Sequence, residues 1–184
     1  MVSRAVRLPA AARVASPWSN GKGMTQEVVR SGDPGSGWRI SIATIAHDAE
    51  FSDYTGQDRH LMPLTVGGLR LVVDGRTLEV DQYEVLSFDG HAAVAAVDVT
   101  APSLDLNLMA SRDHWLSSLT CVEVSGDRAV EAASRESLVV IALEGAITID
   151  GETMIPYDAW SASDGASARV GGSGRVALAR VSPR

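Results

Sequence analysis

The stretch LTVGGLRLVVDGRTLEVDQYEVLSFDG, residues 64–90, decides the fold. Its apolar runs are interrupted at Gly67-Gly68, Asp74-Gly75 and Asp89-Gly90, and an Asp-Gly pair between two alternating runs is a strong hairpin signal. The pattern returns as LEGAITIDGETMIPYDAWSASDG at residues 143–165, with Asp150-Gly151 and Asp164-Gly165 at the turns. Two copies of one meander predict two similar β units. Short strands at regular spacing, with no long amphipathic helical stretch, make the chain all-β.

Working outward, WRISIATIA at 38–46 alternates strictly. Trp38, Ile40 and Ile42 fall on one face, Arg39, Ser41 and Ala43 on the other. LDLNLM at 104–109 does the same, with Leu104, Leu106 and Leu108 opposed to Asp105, Asn107 and Met109. Asp and Asn are depleted in strands. Their placement two residues apart therefore marks a polar face with a task beyond solvation, and we expect it to line one cavity with Arg39, Ser41, Thr25 and Glu27. Between these strands runs HDAEFSDYTGQDRHLMPL, residues 47–64, a turn-rich loop that brings Phe51, Ser52, Asp58 and Arg59 into close succession. Adjacent Asp58 and Arg59 in an extended chain point to opposite sides, so one of them faces inward. Nearer the start, PWSNGKGMTQEV at 17–28 is a Pro-Trp entry into a glycine turn, with Trp18, Asn20 and Gly21 preceding a strand that begins near Thr25.

Composition narrows the functional classes. The 184 residues carry 23 acidic and 16 basic side chains, a formal charge of −7, and the basic residues are scattered. That argues against nucleic acid and anionic membrane as partners. No apolar run approaches the roughly 18 residues of a membrane span. One cysteine, Cys121, offers no disulfide framework, and an N-terminus interrupted by Arg7 and Arg13 lacks a signal-peptide core, so a cytoplasmic setting is expected. His47, His60, His91 and His114 are isolated, with no His-x-His pair, so neither a metal nor another cofactor is expected. Gly-x-Ser-x-Gly elbows, phosphate loops and dinucleotide fingerprints are absent, and no catalytic residue is assigned. What remains is a polar set suited to a small anion: Arg39, Arg59, Asn20, Ser52, Asp105 and Asn107, with Glu27, Trp18 and Phe51 nearby. A buried arginine needs a carboxylate, supplied by the protein or by a ligand, and Glu27 and Asp105 are the candidate resident partners.

PWSNGKGMTQEV, WRISIATIAHDAEFSDYTGQDRHLMPL, FDG at 88–90 and DLNLM with Arg112 resemble, in order from about residue 8 to 115, the HutD/Ves family of small bicupin proteins associated with bacterial histidine utilisation. Ser19 stands where the family turn has a basic residue, and Lys22 where it has a glycine. The resemblance implies two cupin-like barrels or jelly rolls in one chain, residues 1–115 and 116–184, with strands exchanged between the halves. It implies a pocket in the N-terminal barrel for an intermediate of histidine breakdown, of the formylglutamate or urocanate class, in a regulatory rather than catalytic role. The expected partner is thus a small-molecule carboxylate, and the expected state a monomer or homodimer. Two other readings stand beside it: a metal-independent isomerase or lyase with Glu27 or Asp105 as general base, and a scaffold serving assembly alone.

Overall fold

The computed structural model describes residues 4–18, 21–33 and 35–184, and among them no helix is long and apolar enough to cross a membrane. Strand β1 (Arg4–Leu8) and a 3-10 turn (Ala10–Ala12) open the chain. Then come β2 (Ala15–Pro17), β3 (Gly23–Ser31), β4 (Trp38–Ile45), β5 (Ala49–Glu50), β6 (Gln57–Pro63), β7 (Leu69–Val73), β8 (Arg76–Val80), β9 (Leu86–Asp89), β10 (Val94–Ala96) and β11 (Ser103–Ser111). The remainder is β12 (Trp115–Ser125), β13 (Arg128–Glu131), β14 (Ser137–Ile149), β15 (Glu152–Met154), β16 (Ala159–Ser163) and β17 (Ser167–Pro183).

The strands form two compact units. One is Val14–His114; the other is Trp115–Arg184 together with the N-terminal residues through Arg13. The first unit has a six-stranded sheet, β2-β3-β4-β11-β6-β9, and a four-stranded sheet, β5-β10-β7-β8. Its apolar core joins Ile45 and Leu61 of the larger sheet to Ala49, Leu69, Leu71, Val80 and Ala96 of the smaller one. The chain crosses between the sheets at Thr65-Val66-Gly67-Gly68. Here a side chain on Gly68 would sit 2.1 Å from the carbonyl oxygen of Val80, so only glycine fits.

The second unit has one seven-stranded sheet built on β1-β16-β14-β17-β12, with β13 beside β17 and β15 beside β14. In place of the β6–β7 break, β14 runs on for 13 residues and absorbs the change of direction in a bulge between Ala142 and Glu144. The repeat read from sequence is visible bond for bond. Asp74-Gly75 and Asp150-Gly151 close equivalent two-residue hairpins with φ of 48° and 78°, and 50° and 81°, the positive pair that a type I′ turn requires. Tyr83 donates its backbone N–H to Pro63 at 2.8 Å and Tyr157 donates to Ala142 at 2.7 Å, each reaching the residue just before the first leucine of its repeat. Both tyrosines hold positive φ, 67° and 71°.

Residues 4–13 are tied to the second unit through Asp158, whose side chain is 2% exposed. β1 pairs antiparallel with β16, Leu8 opposite Ala159. The Asp158 carboxylate accepts the Ala10 N–H at 2.8 Å and an Arg7 guanidinium N–H at 2.9 Å, while Arg13 donates to the carbonyl of Tyr157 at 2.6 Å. Burial raises the Asp158 pKa, but the bonds from Ala10, Arg7 and Ile155 outweigh it and leave the carboxyl below its ordinary value. Asp158→Ala is expected to cost about 1–3 kcal/mol at pH 7 in thermal or denaturant unfolding, because it strands the Ala10 N–H and takes one of its bonds from Arg7, which keeps Glu152 and the Thr153 carbonyl. A depressed folded pKa gives stability that is complete above the ordinary carboxylate pKa of 3.8 and is lost as pH falls through the folded value. The gap between variant and wild type should therefore narrow below about pH 4, and a gap that stays constant down to about pH 2.5 would contradict this account.

Candidate functional site

In most half-buried sheets the apolar face points to the core. The six-stranded sheet of the first unit reverses this over part of its area. Trp38, Ile40, Ile42, Leu106 and Leu108 are buried on one face, while the face turned toward the unit's own interior carries polar side chains, because residues directly opposite one another in an antiparallel pair share a face. Across β4, β11 and β6 the interior face reads Arg39–Met109–Arg59, then Ser41–Asn107–Leu61, then Ala43–Asp105–Pro63. β3 extends these rows with Arg30, Glu27 and Thr25. Beyond Leu61 the same face turns apolar and joins the core. The polar part walls a cavity of about 390 Å³, completed by Val14, Ser16, Pro17 and Trp18 on one side and Phe51, Ser52 and Tyr54 on another.

Arg59 is 5% exposed. Its guanidinium carbon lies 4.8 Å from the ring centre of Phe88, 5.3 Å from Tyr54 and 5.4 Å from Phe51, so three ring faces or edges surround the cation. One N–H reaches the carbonyl of Ser52 at 3.5 Å, and Nε has no partner among the described residues. Burial lowers the pKa to about 10, with Arg39 pushing the same way and Tyr54 and Asp105 opposing, so the side chain stays charged at neutral pH. Arg39, half-buried, lies 5.9 Å from the Tyr54 ring centre and donates to Met109 Sδ at 3.6 Å. At the mouth, the indole N–H of Trp18 donates to Thr25 Oγ1 at 2.7 Å, and its ring meets Phe51 edge-on at 6.1 Å.

The FDG motif supports this wall from behind. Phe88 stacks on Arg59, and Asp89 pairs with Arg112 at 2.8 Å. Gly90 accepts the Tyr54 N–H at 2.8 Å, and a Cβ there would fall 2.2 Å from the Tyr54 carbonyl oxygen.

Asp105 is 1% exposed and occupies the third row. One carboxylate oxygen accepts the amide of Asn107; the other has no partner among the described residues. Burial pushes its pKa up to about 7, against the opposing pull of the Asn107 bond and the Arg59 charge.

A family model for HutD matches residues 10–179. The chain belongs to the HutD family. Among relatives, a Pseudomonas putida protein described as an uncharacterized 21.2 kDa protein in the hutC 3' region is 33% identical over 107 residues, a match that spans only 56% of either chain. Protein Ves of Citrobacter koseri is 30% identical over 145 residues, 77% of this chain and 73% of Ves. HutD from Pseudomonas fluorescens SBW25 superposes with a TM-score of 0.86 at 26% identity, covering 98% of this chain and all of that one. A cupin 2 conserved barrel protein from Leptotrichia buccalis, 10% identical with a TM-score of 0.58, shares the fold alone over 93% of this chain. The class is cupin-like and all-β.

In this HutD-family chain the structure brings Trp18, Thr25, Glu27, Arg39, Ser41, Phe51, Ser52, Arg59, Asp105, Asn107 and Met109 to one cavity. Asn20 lies outside the described residues, as does Ser19. Two expectations are corrected. Gly21 sits exposed in the turn before β3, its N–H donated to the Trp18 carbonyl, and does not line the cavity. Asp58 points away from it, because Arg112 draws its carboxylate to 2.7 Å on the far side of β6. Glu27 does serve as the resident partner of a cavity arginine, but that arginine is Arg30, at 2.7 Å, rather than Arg39 or Arg59. Sequence reasoning missed Tyr54 and Arg30. Tyr54 sits three residues after Phe51, and that aromatic spacing was its only local signal. Arg30 is carried to the cavity by a bulge between Glu27 and Val29, where strict alternation from Thr25 and Glu27 would have placed Val29. Among the described residues no three His, Cys, Asp or Glu side chains are grouped to hold a metal ion.

A carboxyl raised to about 7 when folded binds more protons than the unfolded chain between roughly pH 4 and 7, so it makes stability fall as pH rises through that window. Asp105→Asn keeps an acceptor for Asn107 and removes the buried charge. It should raise the melting temperature at pH 8, by a free energy on the order of 2–4 kcal/mol, and by much less at pH 5. A gain that is equal at both pH values would rule out titration of Asp105 as its source.

Proposed function

We propose that the cavity binds a small carboxylate metabolite of the formylglutamate or urocanate class, and that the protein is an accessory, regulatory member of histidine utilisation rather than an enzyme. One observation carries the reading. Arg39 and Arg59 stand in a single cross-strand row on either side of Met109, so two like charges converge on one cavity, and the nearby carboxylate of Glu27 is taken by Arg30. The charge of Arg39 acts against that of Arg59, and an anion between them would relieve the repulsion. A ligand carboxylate supplies that anion through charge-assisted hydrogen bonds, the strong kind.

The walls agree with this chemistry. A volume of about 390 Å³ suits a small metabolite, and Trp18, Phe51 and Tyr54 offer flat surfaces for a planar conjugated or amide group. The setting in histidine utilisation rests on the relatives, one a HutD and another described by its position in the hutC 3' region. A monomer or homodimer without metal, working in the cytoplasm, fits a chain with a single cysteine. The near-neutral Asp105 supports one other reading, a metal-independent isomerase or lyase with Asp105 as general base. Turnover of either acid by pure protein would establish that alternative over simple binding.

Millimolar formylglutamate or urocanate is expected to raise the melting temperature through selective binding to the folded state. Arg39→Ala should remove that shift, with a loss of about 2 kcal/mol or more in affinity. Lys22→Gly should leave it in place, because Lys22 is exposed and lies outside the cavity lining. If neither acid shifts the wild-type transition or gives heat in calorimetry, the ligand assignment fails.

A further inference from the structure

Resting on that reading, we infer that the ligand carries a hydrogen-bond donor remote from its carboxylate, and that Asp105 is the residue that selects for it. The cavity presents cations in its Arg39–Met109–Arg59 row and an acceptor in its Ala43–Asp105–Pro63 row. Along β11 these rows are four residues apart, about 13 Å, part of which the long arginine side chains span.

Asp105 is nine-tenths buried and more, and one of its oxygens is left without a donor. Its two neighbours in the row have none to give: Ala43 has no polar side chain, and Pro63 has neither a polar side chain nor an N–H, while Thr25 lies one strand further away, beyond Ala43, where its hydroxyl meets Trp18. Asn107 already serves the other oxygen. The nearest strong cation, Arg59, acts on Asp105 through its field and turns its guanidinium to the aromatic rings. Leaving a buried carboxylate oxygen unpaired costs free energy, and a donor that arrives with the ligand recovers it. The ligand class is therefore a small acid with an N–H at its other end, such as an azole ring or a secondary amide. A plain dicarboxylate, or an isostere with oxygen in place of N–H, would set a lone pair against the Asp105 oxygen and is rejected.

The test compares matched pairs by calorimetry on the full chain at pH 8, where Asp105 is ionised. One pair is urocanate and trans-3-(3-furyl)acrylate, whose ring oxygen replaces the N–H. The other is N-formylglutamate and freshly prepared 2-formyloxyglutarate, whose ester oxygen replaces the amide N–H. The N–H member of at least one pair should bind about 10–100-fold tighter. In Asp105→Asn, where the side-chain oxygen can keep the Asn107 bond and the amide group turns donor toward the vacant side, that preference should shrink to about threefold or reverse. Equal binding of both members by wild type would overturn the inference and leave the carboxylate-binding reading intact. A preference that survives Asp105→Asn would overturn Asp105 as the selector. Binding of none of the four acids would remove the reading itself, and the inference with it. Should Asp105→Asn fail to fold, the N-formylglutamate pair on wild type at about pH 5.5, where Asp105 is protonated, decides in its place, and a preference unchanged from pH 8 would overturn Asp105 as the selector.

Discussion

The site depends on one register, the seating of β11 between β4 and β6 with Met109 opposite both Arg39 and Arg59. Side chains in a sheet alternate with period two, so a slip of one residue would send Asp105 and Asn107 out of the interior and bring Leu106 and Leu108 in. The two faces hold the register jointly. Ile40, Ile42, Leu106 and Leu108 are almost wholly removed from water, at roughly 1.5–3 kcal/mol for each such side chain, and no slipped pairing keeps that burial. The apolar face thus fixes where the polar face must lie. A group of charges that would not assemble by itself is held in place by hydrophobic burial on the reverse of the same strands.

Arg59 shows how a cation is kept inside without a salt bridge to any of the described residues. Ring faces attract a cation electrostatically, worth about 2 kcal/mol when desolvated, while offering no oxygen that would neutralise it. Phe88, Tyr54 and Phe51 come from a strand and two positions of one loop, and the loop is pinned to the FDG turn by the Tyr54–Gly90 bond. A carboxylate in their place would have quenched the charge on which the proposed anion site rests. The aromatic cage leaves the guanidinium charged.

The parts that were legible in the sequence are local ones. The Asp74-Gly75 and Asp150-Gly151 hairpins follow from two residues that tolerate positive φ, and the strict alternation of 38–43 and 104–109 is enough to put Arg39 with Ser41, and Asp105 with Asn107, on one face of their strands. What escaped depends on distant partners. Asp58 faces outward because of Arg112, 54 residues away, and the pairing of β1 with β16 joins residues separated by most of the chain. Glu27 finds Arg30 through a change of strand geometry that leaves no mark in residue type. Tyr54 reaches two arginines only because the loop folds back onto Gly90.

The bulge in β3 bears on how related chains should be aligned. It accommodates one additional residue between Glu27 and Val29 while Arg30 keeps its place opposite Arg39. A homologue lacking that residue could therefore keep the same lining with an ordinary ladder. Aligned against this chain without a gap, such a homologue would seem to have exchanged a valine for an arginine, or to have lost a charge it still presents. In this strand the informative difference between relatives is an insertion or deletion, and counts of substituted residues would hide it.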